Sequence, residues 1–185
     1  MVLGGSDLRL ERTPRQASRA LYTPEERRRR DATPWTLVQA VLAPLQFVVF
    51  LVSLALVLRY LATGEGLAAA TASVVVKTLV LYLIMVTGSV WEHEVFGRWL
   101  FAPAFFWEDV FSFLVLALHT AYLGAVWTGV LAPRHQMFLA LAAYASYVIN
   151  ATQFLLKLRA ARLEADANGP ARERLGAATA AGVLE

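Results

Sequence analysis

The 185-residue sequence has no cysteine, which excludes disulfides, thiolate metal sites and iron–sulfur clusters. Charge is scarce, with 17% of residues Asp, Glu, Lys or Arg against about 25% in a soluble domain. The first twenty residues hold no apolar run, which argues against a cleavable signal peptide. No Glu-x-x-His pair occurs, so the repeated motif of a di-iron carboxylate site is missing. No internal repeat or pair of broken helices is visible, which weighs against a transporter built from repeats.

What is present is hydrophobic: 58% of the residues, gathered in runs long enough to cross a bilayer. The fold class read from this is all-α, a polytopic membrane protein with four transmembrane helices in a bundle. The spans fall at about residues 35–61, 67–90, 104–130 and 136–158. They form one membrane domain over residues 21–163, flanked by a disordered segment at 1–20 and a flexible tail at 164–185. Thr23-Pro24-Glu25-Glu26 reads as a helix start with a capping box. The net charge is +3, and the basic residues cluster at the two ends of the apolar region, Arg27–Arg30 before it and Lys157, Arg159 and Arg162 after it. That distribution sets membrane orientation and gives no reason to expect nucleic acid as a partner. By the positive-inside rule it places both termini and the Trp91–Phe106 loop in the cytoplasm.

Two spans carry polar stripes. Gln39, Gln46, Ser53 and Tyr60 recur every seven residues around Pro44, which suits either a wall of a cavity or a hydrogen-bonding seam between helices. Tyr147, Asn150, Gln153 and Lys157 make a second stripe on the last span. Lys77 lies about 15 Å deep at 1.5 Å per residue. Snorkelling or pairing with a carboxylate is the plainer reading of it, and an anionic ligand the sharper one.

The stretch Trp91–His119 concentrates the ionisable groups, each costly in a bilayer and therefore a candidate for function. Glu108, Ser112, Val115 and His119 share one face of the third span, with Glu108 and His119 about 16 Å apart, so both can point into one groove. Asp109 lies about 100° round the helix, and Glu92 and Glu94 can bend over the groove from the end of the second span. Glu108 beside Phe105, Phe106 and Trp107 is placed to stay protonated and act as a general acid. An interfacial helix N-terminus that merely favours acids explains Glu108 and Asp109 equally well. His93 sits between two acids, but neighbouring residues on a helix point apart, and no stable protein-bound metal is expected. Seven aromatic residues in seventeen, from Trp91 to Trp107, suit an interfacial belt or a stacking wall for a flat polycyclic ligand.

The strings LYTPEERRRRDATPWTLVQAVLAPLQF, TGSVWEHEVFGRWLFAPAFFWEDVFSFLVLALHTAYL and NATQFLLKLRAARLEA resemble the vinyl-bacteriochlorophyllide hydratase family of bacteriochlorophyll biosynthesis, over about Leu21–Ala165. The resemblance implies a hydro-lyase that adds water to the C3 vinyl group of 3-vinyl bacteriochlorophyllide a or chlorophyllide a. It implies no redox cofactor, and a magnesium ion that belongs to the substrate. The partners it implies are the pigment and the lipid bilayer, with docking by other enzymes of the pathway left open. The location it implies is the bacterial inner membrane, cytoplasmic or intracytoplasmic, with the site on the cytoplasmic side. On that chemistry Glu108 is expected as acid, with Asp109 or Glu94 orienting the water. His119 is expected to take the water's proton or, like His93, to ligate the substrate magnesium. Arg98, Trp91, Trp107, Phe105, Ser112 and Gln46 are expected to bind the pigment, Arg98 through its propionate. A non-catalytic pigment-binding or assembly protein is the alternative, followed by a proton or anion relay.

Overall fold

A computed structural model describes the backbone of residues 21–181 and the side chains of 21–163. The expectation of disorder for 1–20 lies outside the described residues. The described chain forms five helices and no strand: α1 (Pro24–Ala32), α2 (Pro34–Thr63), α3 (Leu67–Phe96), α4 (Phe106–Thr128) and α5 (Pro133–Ala181). Helices α2, α3 and α4, and α5 as far as Leu163, are each long and apolar enough to cross a membrane. The backbone of α5 stays helical to Ala181, within the stretch expected as a flexible tail, whose last four residues lie outside the described ones.

The four long helices alternate in direction. Helix α2 packs mainly along α3 and α4 mainly along α5, so two tight hairpins meet along a thinner seam. Hydrogen bonds between polar stripes hold each hairpin. Gln39 Nε2 donates to Thr87 Oγ1 at 2.8 Å and the Ser53 and Ser73 hydroxyls meet at 2.7 Å, while Asn150 Nδ2 donates to Ser112 Oγ at 2.8 Å. Across the seam Tyr144 and Ser53 hydroxyls lie 2.5 Å apart, and Tyr82 and Thr120 2.8 Å. The stripe on α2 therefore serves as a helix–helix seam at Gln39 and Ser53, as an apolar medium demands of polar side chains. Leu37, Val41, Val48 and Val52 on its other side stay exposed and face lipid.

Helix α3 outruns its expected end. Nothing in Trp91-Glu92-His93-Glu94 breaks a helix, and α3 stops only at Gly97, whose φ of 72° is the left-handed conformation of a C-cap. The expected Trp91–Phe106 loop is thus cut to residues 97–105, and Glu92 stays on a rigid helix.

Before α2, the short helix α1 lies against the end of α3. Thr23 accepts from Glu26 N–H at 3.2 Å and the Glu26 carboxylate accepts from Thr23 N–H at 2.7 Å, closing the capping box. Just ahead of it Tyr22 is buried, stacked on Phe96 with Arg30 over its ring, and burial pushes its phenol above the usual range against the pull of Arg30. Thr23→Ala is expected to cost α1 about 1 kcal/mol. Its amides should then exchange several-fold faster, with protection in α2–α5 unchanged.

Candidate active site

The end of the bundle that carries the 97–105 loop gathers the carboxylates. Glu92, in the last turns of α3, accepts from the backbone N–H of Ala102 at 2.6 Å. Asp109, in the first turn of α4, accepts from the N–H of Phe101 at 2.7 Å. Phe101 has φ of 59°, a left-handed conformation that is costly for a bulky side chain and persists only when the surroundings enforce it. The two acid–amide bonds supply that enforcement. Glu92 and Asp109 also face each other within hydrogen-bonding reach, and both are buried.

One residue earlier on α4, Glu108 accepts from Lys157 Nζ at 2.6 Å. The Glu108 carboxyl is buried, while the lysine keeps a little over a quarter of its side chain accessible. The surroundings anticipated for Glu108 were apolar rings alone. An ion pair occupies the place instead, because α5, packed antiparallel along α4, brings Lys157 beside it. Lys157 also lies 5.1 Å from the Phe105 ring, and Phe105 stacks on Phe154.

Round these groups the aromatic stretch divides. Trp91, Phe96 and Phe105 pack edge to face with one another, and Tyr22 closes the cluster. The indole N–H of Trp91 is fixed on Thr36 Oγ1 at 2.9 Å. Trp107, 66% exposed, points outward with Trp99, Phe101 and Phe106, so only part of the anticipated stacking wall is internal. His93 stacks on Trp99 at 4.2 Å between ring centroids.

The remaining anticipated residues scatter. Glu94 is exposed and lines a pocket of about 360 Å³ with Arg29, Thr33 and Pro34, away from the buried carboxylates. Arg98 is exposed on the loop. Ser112 is tied to Asn150 in the interior. Gln46 is buried, and neither its amide oxygen nor its nitrogen has a partner among the described residues. His119 is fully buried deeper in the bundle, its Nδ1 2.7 Å from the Val115 carbonyl. A carbonyl only accepts, so Nδ1 carries the proton and Nε2 an unshared pair. No partner among the described residues meets that Nε2.

Lys157, expected in the basic end and in the second polar stripe, is the partner of Glu108, and Glu92, expected to bend over the groove, holds the loop instead. Tyr22 carries no comparable signal in the sequence. The spacing of Lys157 in the α5 stripe carried a usable signal, since it falls one turn beyond Gln153 on an inward face. Lys77 neither snorkels nor pairs with a carboxylate among the described residues.

A family model described as 2-vinyl bacteriochlorophyllide hydratase matches residues 22–160. A protein of Rhodobacter capsulatus with that name is 70% identical over 154 residues, 83% of this chain and 90% of the relative. One of Cereibacter sphaeroides, named likewise, is 68% identical over 156 residues, 84% and 96%. No solved structure matches.

The ion pair has a measurable signature. Removing one member of a largely buried pair strands the other, so Lys157→Met should destabilise by about 2–3 kcal/mol. Adding Glu108→Gln should restore part of the loss, read as thermal unfolding in detergent.

Proposed function

The chain belongs to the 2-vinyl bacteriochlorophyllide hydratase family, and from that membership we propose that it hydrates the vinyl group of a magnesium chlorin or bacteriochlorin. The 2-vinyl group of that name and the C3 vinyl group of the sequence reading are one substituent under two ring numberings. The product is the 3-(1-hydroxyethyl) pigment. The reaction adds water across a double bond with no net oxidation, so a redox cofactor has no step to perform, and the magnesium is the substrate's own.

The observation that carries the mechanism is the buried acid cluster beside an aromatic box. A proton added to the terminal vinyl carbon leaves a cation on the inner carbon, delocalised into the macrocycle. Water attacks that carbon, loses a proton, and the alcohol remains. Asp109 and Glu92, facing each other, can hydrogen-bond only through a proton between them, and that proton is the one delivered to the alkene. Glu108, ion-paired to Lys157, is placed to stabilise the cation and to take the proton from the attacking water. These roles invert those anticipated for Glu108 and Asp109, and the reason is Lys157. Glu94 lies outside this cluster, so its role would be indirect.

His119 fits a magnesium ligand by its tautomer but not by its position. Eleven residues of helix put it about 16 Å from Glu108, farther than the centre of a chlorin lies from its own vinyl group. One ring cannot use both. Trp91 and Phe105 supply apolar wall beside the acids, with Trp107 at the entrance from lipid.

The membrane character together with the basic ends supports a bacterial inner-membrane protein with the acid cluster at the cytoplasmic face. The absence of cysteine makes sidedness simple to test. A single Cys placed at Arg98 should react with a membrane-impermeant maleimide in inverted vesicles and not in intact cells. The activity is tested by expressing the chain in a membrane without a pigment pathway and adding chlorophyllide a. A product heavier by one water, formed with no added cofactor, is expected. Asp109→Asn should slow it by at least about 100-fold while pigment still binds. Pigment that binds and is returned unchanged by the wild-type chain would favour a carrier instead.

A further inference from the structure

Lys77 is fully buried in the middle of α3, and its Nζ has no hydrogen-bond partner and no carboxylate among the described residues. It rests on aromatic faces, 3.9 Å from the Tyr147 ring centroid and 5.9 Å from that of Tyr144. Cation–π contact returns only part of the hydration lost, about 2 kcal/mol when desolvated, and an unpaired ammonium in such a place is expensive. Around it the seam between the hairpins holds further polar atoms that have no partner among the described residues: Gln46 on α2, His119 Nε2 on α4, Asn150 Oδ1 and Gln153 Oε1 on α5. Each is a polar atom withheld from lipid with nothing to meet, although buried polar atoms in native proteins are nearly always paired.

We propose that Lys77 is the counter-ion for the free propionate carboxylate of the pigment, which lies lengthwise in the seam between the α2–α3 and α4–α5 hairpins. This rests on the hydratase reading for the identity of the ligand. The geometry is commensurate. Tyr147, under the ammonium, is ten residues along α5 from Lys157, about 15 Å, and Lys157 marks the acid cluster. A chlorin with its carboxylate on Lys77 therefore brings its vinyl edge toward Glu108 and Asp109. Gln46 and Asn150 fall beside the ring between these ends. The thinner packing along the seam is where a flat ligand can part the bundle without breaking either hairpin. The ammonium then selects the free acid over an esterified pigment, since an ester leaves the charge unpaired. Arg98, the group anticipated for this carboxylate, is exposed on the loop and outside the seam.

The test is binding, independent of turnover. The full chain in detergent micelles is titrated with chlorophyllide a and with its methyl ester, and affinity is read from quenching of tryptophan fluorescence. The wild-type chain should favour the free acid by at least about tenfold, the scale of one charge-assisted hydrogen bond. Lys77→Met should bind both pigments alike, at the affinity of the ester, and Arg98→Ala should keep the preference. Without pigment, Lys77→Met should melt at a higher temperature than wild type, because an unpaired buried charge is gone. A lysine with a merely structural role would give a lower one. The proposal is overturned if the wild type does not discriminate, if Lys77→Met still does, or if the preference follows Arg98. A Lys77-dependent preference in a protein that never hydrates the vinyl group would leave this inference standing and remove the hydratase reading.

Discussion

Two carboxylates gripping two consecutive backbone amides are the constraint on which the site depends. Glu92 holds Ala102 N–H and Asp109 holds Phe101 N–H. Together they draw the 97–105 loop down between α3 and α4 and keep Phe101 in a conformation it would not adopt alone. Phe105, the residue before α4, is thereby set into the aromatic cluster, and Glu108 is turned toward Lys157. The same acids that organise the loop are those to which the proposed mechanism gives the proton transfer. Structure and chemistry therefore share groups here.

A second constraint comes from the solvent. In a lipid environment a polar side chain must find a partner inside the protein or be held for something that arrives later. The hairpins satisfy the first condition through Gln39–Thr87, Ser53–Ser73 and Ser112–Asn150. The seam between them does so only in part, through Ser53–Tyr144 and Tyr82–Thr120, and Lys77, Gln46 and His119 hold its unmet valences among the described residues. The bundle is thus well paired within each half and poorly paired between halves. That asymmetry is what a ligand entering from the membrane can use.

Much of the fold could be read from residues in order. Four apolar runs with flanking Arg and Lys define four spans, and the seven-residue stripe on α2 and the Tyr147–Lys157 stripe on α5 both turn inward as their spacing demands. The capping box at Thr23 is equally local. The site was legible only in outline. Glu108, Asp109, Ser112 and His119 are all buried, but Asp109 joins the acids rather than standing apart. Its partner Glu92 is seventeen residues away, across a turn whose shape the local sequence does not specify.

The sequence by itself determined what must lie in the membrane, which helix faces are polar and to which family the chain belongs. Hydrophobic length and helical period act over one element at a time. Tertiary structure decided how the charges are partnered: Glu108 with Lys157, Glu92 with the loop, Lys77 with aromatic rings alone. Pairing depends on which helices adjoin and at what depth, and an ion buried in a low-dielectric interior is governed by its nearest neighbours in space rather than in sequence.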